Sequence, residues 1–279
     1  MVGQEIVKCQ IQDLIDNNSY PRFSIITGKK GIGKKMLGKE IANRLGLPYI
    51  VWNNKIDDIR ELIEIMNKQE EPAVYCIPDY EDMSIGARNS LLKVCEEPPN
   101  KSYIVITSSL KDIILPTILG RGTVLEMNNY TDEELFSIGR IMSKGISDEE
   151  LEIRKNYCEV PGEFALFENI NTNEFSEFIE MLWNNIGRAS AGNLLKTTSK
   201  IKLKDEGNGF DINLFINGIS SMNKTMEDLT IRSKIYNEII NAKRSLQLKF
   251  NKQYILDNLL LNIRGIRNGT IWFTKVSCE

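Results

Sequence analysis

The sequence predicts an α/β protein: a five-stranded parallel sheet carrying a P-loop in residues 1–127, followed by two helical regions. Two observations support this fold class. Up to residue 127, short apolar runs alternate with stretches whose apolar residues recur at helical spacing, which is typical of a parallel sheet covered by helices on both faces. Beyond residue 127 the apolar residues keep only the helical spacing.

The elements of the first region follow from its apolar pattern in chain order. Each predicted strand is a run rich in β-branched and aromatic residues, bounded by polar or turn-forming residues. The predicted strands are residues 23–27, 49–52, 73–77, 103–107 and 123–127. The predicted helices are residues 4–17, 34–45, 56–68 and 83–95.

The remaining chain is predicted to be helical and to contain no strands. Thr131 with Glu134 has the pattern of a capping box at the start of a helix. A polar, glycine-containing stretch at residues 202–210 predicts a loop. We divide this part into regions 128–172 and 173–279. Its predicted helices lie near residues 148–157, 161–169, 174 onward, 211–226, 227–249 and 252–263.

Composition excludes several classes of protein. The chain has 279 residues, is 42% apolar and carries a net charge of −3, so it can form a sizeable core and is not a polycation. It contains no histidine, which excludes Ser-His-Asp triads and His-ligated metals. Its five cysteines are scattered, so we expect reduced thiols and no zinc site. Since neither a signal peptide nor a membrane-spanning stretch is apparent, we expect a cytoplasmic protein without a membrane partner.

A glycine-rich loop between the first predicted strand and the second predicted helix has the GxxxxGK pattern of a P-loop. Backbone N–H groups of such a loop surround a phosphate, and the helix N-terminus adds a positive dipole. We therefore expect ATP or ADP to bind, although a basic turn without a ligand would have the same composition. Lys35 stands where serine or threonine normally binds Mg²⁺, so Mg²⁺ binding is left open. The predicted nucleotide-binding residues here are Gly28, Gly31, Ile32, Gly33, Lys34 and Lys35.

Asp79 is a further candidate because it follows the predicted strand at residues 73–77. An aspartate at this place holds Mg²⁺ in P-loop NTPases. The ATPase pattern adds a glutamate directly after it, but Tyr80 stands there, and Glu81 and Asp82 are expected on other faces. An acidic surface loop would explain Asp79 equally well. Together with Lys35, this pattern predicts poor hydrolysis of ATP.

The segment NSLLKVCEEPP at residues 89–99 resembles the clamp-loader branch of the AAA+ ATPases. The resemblance covers nearly the whole chain. VGQE at residues 2–5 is similar to the family's opening, which borders the adenine pocket. Residues 103–109 resemble its sensor-1 strand, where Thr107 becomes a candidate nucleotide contact. LPTILGRG at 115–122, PGEFAL at 161–166 and the helical stretch 246–263 resemble the arginine segment, the sensor-2 helix and the collar helices.

The resemblance implies an AAA+ base domain at residues 1–127, a helical lid at 128–172 and a collar at 173–279. Within the family, the chain most resembles the delta-prime subunits of bacterial DNA polymerase III, which implies a largely non-hydrolysing ring subunit. Its implied partners are the ATPase and delta subunits, the sliding clamp and primed DNA. Arg121 would act as an arginine finger in trans, and its flanking glycines predict that it is loosely held. The sensor-2 segment contains Glu163 and no arginine.

Two other functions remain open from the sequence. One is an active clamp-loader-type ATPase subunit, which would have to tolerate Lys35 and Tyr80. The other is a P-loop small-molecule kinase or a regulatory NTPase, which would leave the C-terminal helices unexplained. Basic residues in the last region are expected to form a solvated helix face, with DNA contact as the alternative. They are Lys243, Arg244, Lys249 and Lys252.

Overall fold

The chain forms two compact units in a computed structural model that describes residues 1–68, 70–96, 98–198, 201–202 and 209–269. The first unit comprises Met1–Ser137 and Val160–Gly162, and the second comprises Ile138–Glu159 and Glu163–Glu279. The finer division at residues 127 and 172 remains a prediction. Of the segments discussed above, Glu97, Cys278 and residues 203–208 lie outside the described residues.

A five-stranded parallel sheet with the order β2-β3-β4-β1-β5 forms the centre of the first unit. The five predicted strands are confirmed, with every end within one residue of its predicted place. Strand β1 is buried along its whole length, as expected for a central strand covered on both faces. The strands are β1 (Phe23–Thr27), β2 (Tyr49–Val51), β3 (Val74–Ile77), β4 (Tyr103–Ser108) and β5 (Thr123–Glu126).

Helices cover both faces of this sheet. On one face, a core cluster joins α3 and α4 to alternate strand residues such as Tyr75 and Ile104. Strand side chains alternate between faces, so Ile26 and Val105 belong to the opposite face, and α2 packs against four of the five strands. The helices that begin in this part of the chain are α1 (Glu5–Asp16), α2 (Lys34–Leu45), α3 (Ile56–Lys68), α4 (Ile85–Glu96), α5 (Pro116–Leu119) and α6 (Asp132–Met142).

The second unit is mainly helical, as predicted. Its described helices begin at side-chain caps; for example, Asp211 and Asp228 accept backbone hydrogen bonds from the first turns of α10 and α11. On α11, the predicted apolar face includes Ile235, Ile239 and Ala242, which are all buried. The helices are α7 (Asp148–Lys155), α8 (Thr172–Asn185), α9 (Ala191–Thr197), α10 (Ile212–Lys224), α11 (Leu229–Gln247) and α12 (Lys252–Arg267).

Two predictions for this region are wrong. Strands do occur after residue 127, because β6 (Ile201–Lys202) pairs in parallel with β7 (Phe210–Asp211) at the ends of the predicted loop. Ile201 is buried, so tertiary packing forms this pair, and two residues are too few to show a strand period. In addition, Pro161–Phe167 is a 3₁₀ helix within the segment predicted as helix 161–169.

The described cysteines are free thiols: Cys76, Cys95 and Cys158 are buried, and Cys9 is exposed. Burial raises the pKa of the three buried thiols. None of the helices in the described part of the chain combines the length and apolar character that crossing a bilayer requires.

Candidate functional site

The predicted P-loop connects the carboxyl end of β1 to the first turn of α2. Gly28, Gly31 and Gly33 have φ angles of 149°, 81° and 108°, which glycine adopts readily and other residues do not. Gly33 is the N-cap of α2, and no side chain among the described residues caps this helix. The N–H groups at the start of α2 are therefore open to an anionic ligand.

Ile32 fixes the loop to the protein interior. Its side chain is buried, and its carbonyl accepts a hydrogen bond of 3.0 Å from the hydroxyl of Tyr130. The side chain of Gln4 lies beside Tyr130. It donates to the Asn128 carbonyl at 2.6 Å and accepts from the Asn128 amide at 2.9 Å. The VGQE segment therefore supports the chain that follows β5 and, through Tyr130, the P-loop.

Lys34 is folded back onto the loop that precedes it. Its Nζ donates to the carbonyls of Gly28 at 2.8 Å and Lys29 at 3.0 Å, and to Oγ of Ser109 at 2.8 Å. Only 6% of the residue is exposed. Burial lowers the pKa of the Lys34 ammonium, and the nearby carboxylates of Glu81 and Asp79 oppose this shift. The ammonium is thus placed where the P-loop, β4 and the acidic turn after β3 meet.

Lys35 and Asp79, the two predicted metal positions, contact each other. Nζ of Lys35 lies 3.4 Å from Oδ2 of Asp79. Mg²⁺ requires oxygen ligands in near-octahedral geometry, whereas the ammonium of Lys35 has no lone pair to offer and repels a cation. Among the described residues, no three acidic, histidine or cysteine side chains are grouped as metal ligands. The residues at this position therefore do not fit Mg²⁺.

Tyr80 occupies the position of the water-polarising glutamate of active ATPases, and it belongs to the core. The residue is fully buried, its hydroxyl accepts from the Leu115 amide at 3.5 Å, and the Arg88 guanidinium lies 4.8 Å from the centre of its ring. This side chain therefore provides no base beside the loop.

Glu81 was expected on another face, and this expectation is wrong. Tyr80–Asp82 form a single 3₁₀ turn that begins after Asp79, and the Glu81 carboxylate lies at the end of β4. Both carboxylate oxygens accept from the Ser109 amide at 3.1 Å, and Oε2 accepts from the Ser108 hydroxyl at 3.0 Å. Glu81 and Ser109 are therefore site residues that the motifs missed; the serine pair directly after the sensor-1 strand was the available signal.

Thr107 is completely buried behind Asp79. Its Oγ1 accepts a hydrogen bond of 3.2 Å from the Asp79 amide. The amide of Asn54 donates to the Asp79 carbonyl at 3.1 Å. Thr107 therefore positions Asp79, and its direct contact with a nucleotide stays a prediction.

Gly162, in the PGEFAL segment, lies directly against the P-loop. Its amide donates to the Gly31 carbonyl at 3.0 Å. A Cβ atom on Gly162 would lie 2.8 Å from Cα of Gly31, closer than Cβ atoms approach other heavy atoms. The contact between the two backbones consequently requires glycine at position 162.

Arg121 makes two polar contacts, and the looseness predicted from its flanking glycines stays a prediction. One terminal nitrogen of its guanidinium lies 2.6 Å from Oε1 of Glu96, and the other donates to the Thr117 carbonyl at 2.6 Å. Gly122 is also constrained, because a Cβ atom there would lie 2.8 Å from the ring of Phe23. The turn that carries Arg121 is therefore packed against β1, and its guanidinium contacts Glu96 and Thr117.

Arg121 and the P-loop lie at opposite ends of the strands: Arg121 at their amino ends and the P-loop at their carboxyl ends. Arg121 precedes β5, whose first residue pairs with Ser24 near the start of β1, whereas the P-loop follows the end of β1. Phe23 and Gly28 are five residues apart, which corresponds to about 16 Å at a strand rise of ~3.3 Å per residue. The Arg121 side chain is 38% exposed, so it is accessible to a neighbouring molecule.

A parallel sheet with this loop, an acidic turn after β3 and helices on both faces defines a P-loop nucleotide-binding fold of the AAA+ class. The structure is similar to the RuvB Holliday junction branch migration motor of Thermotoga maritima, with a TM-score of 0.50 and 15% identity over 95% of this chain and 87% of that chain. This similarity concerns the fold alone.

A family model described as "DNA polymerase III, delta subunit" matches residues 3–131. Among curated relatives, DNA polymerase III subunit tau of Bacillus subtilis is 22% identical over 191 residues, which are 57% of this chain and 33% of the relative. Subunit gamma of Buchnera aphidicola is 22% identical over 251 residues, 77% of this chain and 66% of the relative. This chain therefore spans a third of tau and about two thirds of gamma, and its residues 3–131 are similar to the family of DNA polymerase III delta subunits.

Proposed function

We propose that the chain is a delta-prime-like subunit of a replicative clamp loader, which loads a sliding clamp onto primed DNA. In this proposal the chain supplies Arg121 to the ATP site of a neighbouring ATPase subunit and hydrolyses little ATP itself. The observation that carries the proposal is that Arg121 lies at the amino ends of the strands, whereas its own P-loop lies at their carboxyl ends. An exposed guanidinium held in one orientation there can stabilise the transferring phosphoryl group of a neighbour but not of its own nucleotide.

The weak hydrolysis in this proposal is supported by three departures around the loop. Lys35 and Asp79 bind each other, Tyr80 is in the core, and the Glu81 carboxylate is occupied by Ser108 and Ser109. Each departure removes a group that an ATPase needs to hold Mg²⁺ or to activate water. The P-loop and Lys34 would then bind ATP or ADP without efficient turnover.

Assembly with other clamp-loader subunits is supported by an apolar stripe on α11. Leu229, Tyr236 and Ile240 follow one another at spacings of seven and four residues, so they share a helix face. They are exposed by 73%, 53% and 44%, respectively. An exposed apolar face of this kind gains free energy when a partner subunit covers it. The proposed direct partners are the ATPase and delta subunits, with the clamp and DNA reached through the complex.

The decisive experiment compares complexes reconstituted with the ATPase and delta subunits, the clamp and primed DNA from the same genome. Arg121→Ala should lower ATP turnover at the one site it serves by about 10³-fold, with the mass of the complex unchanged by light scattering. Arg60→Ala is the matched control, because Arg60 is exposed and, among the described residues, pairs with Asp57 at 3.8 Å. Unchanged turnover in the Arg121 variant at that site would refute the proposal.

An active ATPase subunit is the second candidate, and the position of Glu81 favours it. This carboxylate contacts Ser109, which in turn binds Lys34. It could act as a general base one position later than usual if Ser108 and Ser109 released it. ATP turnover by the isolated chain that disappears in Glu81→Gln would establish this candidate. Absence of turnover at this chain's own site in the assembled complex, where a neighbouring subunit can supply an arginine finger, would exclude it.

A further inference from the structure

We propose that the Lys35 ammonium replaces the magnesium ion of other P-loop proteins, so that this chain binds nucleoside di- and triphosphates without a divalent cation. The inference rests on nucleotide binding in the proposed function and adds its cation requirement. The residues at the two metal positions form an ion pair with each other, and this arrangement is the starting observation.

The position of the ammonium supports the replacement. Lys35 lies in the first turn of α2, where the metal-binding hydroxyl of a P-loop stands, and Asp79 follows β3, where the metal-binding carboxylate stands. Nζ of Lys35 is 3.4 Å from Oδ2 of Asp79. A positive charge attached to the chain therefore occupies the place between the loop and the strand end in which Mg²⁺ would bridge them.

Both partners of the ion pair are held by their backbones. The Lys35 carbonyl accepts a hydrogen bond of 2.8 Å from the hydroxyl of Tyr49. The Asp79 amide donates to Thr107, and its carbonyl accepts from Asn54. The side chains themselves remain accessible, with 53% of Lys35 and 39% of Asp79 exposed. An exposed ion pair contributes little to stability, so stability does not explain its presence, and a phosphate can reach the ammonium.

The charges around the loop also favour polyphosphate without a metal. The segment from Gly28 to Lys35 contains four lysines, at positions 29, 30, 34 and 35. A nucleotide's phosphates need cationic neutralisation, which Mg²⁺ supplies in most P-loop proteins. Here Lys34 and Lys35 lie beside the loop itself, and a divalent ion would have to enter next to the Lys35 ammonium. The site therefore supplies the charge that Mg²⁺ would bring and repels the ion.

The test measures the affinity of the full chain for a fluorescent ADP analogue in EDTA and in MgCl₂, by fluorescence anisotropy. The wild-type Kd should be the same within about twofold in the two conditions. Lys35→Thr removes the ammonium and restores a metal-binding hydroxyl. We expect its affinity in EDTA to fall by roughly tenfold, as for loss of one charge-assisted contact, and MgCl₂ to recover it.

Two further variants make the outcome specific. Lys39→Thr makes the same substitution at an exposed lysine one turn further along α2 and should bind like the wild type. Lys35→Met keeps the length of the side chain without its charge and should bind weakly in both conditions. Wild-type binding that requires Mg²⁺, or a Lys35→Thr variant that needs no metal, would overturn the inference.

The outcomes separate this inference from the proposed function. A wild-type chain that binds the nucleotide in neither condition refutes the inference, but it leaves the role of Arg121 intact, since that residue serves the site of another subunit. Conversely, metal-independent binding combined with an inert Arg121→Ala variant would refute the trans role and leave the inference standing.

Discussion

The carboxylate of Glu96 and the guanidinium of Arg121 form an ion pair with a distance of 2.6 Å between Oε1 and the nearer nitrogen. Glu96 is the last residue of α4, and Arg121 lies in the turn between α5 and β5. Because the other terminal nitrogen is bound to the Thr117 carbonyl, the guanidinium is fixed at two points. The ion pair therefore sets the direction in which Arg121 is presented.

Glu96→Gln should reduce ATP turnover of the assembled complex without preventing assembly. The loss of one exposed ion pair weakens the orientation of Arg121 by up to about 1 kcal/mol, which corresponds to roughly fivefold in rate. Glu64→Gln, in an exposed pair of 3.8 Å with Lys68, is the control and should have no effect. A faster complex would show instead that Glu96 competes with the neighbouring ATP site for Arg121.

Gly122→Ala should destabilise the chain, because the added methyl group would overlap the ring of Phe23 and approach the end of Ile25 to 3.0 Å. We expect a decrease of about 1–3 kcal/mol in the free energy of unfolding, the usual cost of overpacking a core, measured by urea denaturation. Gly120→Ala is the matched control, since its backbone is α-helical with φ of −71° and a Cβ atom there has only an ordinary contact at 3.4 Å. Equal stability of the two variants would contradict this account.

Gly162→Ala should weaken nucleotide binding. The new methyl group would force the Gly162 backbone away from Gly31 and break the 3.0 Å hydrogen bond between them. Loss of this bond lets the P-loop relax, and we expect roughly fivefold lower affinity for ADP, equivalent to about 1 kcal/mol. Gly192→Ala, with nothing within 4 Å of its Cβ position, should bind like the wild type in the same titration. An unchanged affinity in Gly162→Ala would show that the contact does not shape the loop.

Nucleotide affinity should fall as the pH rises through the pKa of Lys34 in the free chain. Burial holds this pKa below 10.5, and bound phosphates would raise it again, so binding takes up a proton in this range. The nucleotide's own phosphates, whose last pKa is near 6, are fully ionised there. Calorimetry in buffers of different ionisation enthalpy measures the proton uptake. A Lys34→Ala variant should bind weakly and show no uptake; uptake that persists in this variant would assign the proton to another group.

The sheet was predictable because each strand is a short run rich in apolar residues, and the three inner strands β1, β3 and β4 are largely buried. A run such as FSIIT is buried at all five positions, since both faces of β1 are covered by helices. The strands β6 and β7 have two residues each, which are too few to show a pattern. Their pairing depends on tertiary contacts that bury Ile201 of β6. Local patterns therefore reveal elements that are long enough to repeat, and not those made by tertiary contact.

The same distinction applies to the residues of the candidate site. The P-loop is contiguous, so Gly28 to Lys35 could be assigned from their spacing and context. The contact between Glu81 and Ser109 joins residues 28 positions apart, and it depends on the turn that starts at Asp79. Lys35 and Asp79 could each be recognised as standing at a metal-binding position, but only the folded chain brings them together as a pair.

The burial of Tyr80 makes the missing water-polarising group hard to regain in evolution. A single change to glutamate would place a carboxylate among the side chains of the core, at a cost of several kcal/mol without a partner. It would also remove the hydroxyl that accepts from Leu115 and the ring beneath Arg88. Any ancestor with a glutamate at this position would have had to rebuild its core around the tyrosine, and a descendant would have to reverse several of those changes at once. The substitution is therefore difficult to reverse by single changes.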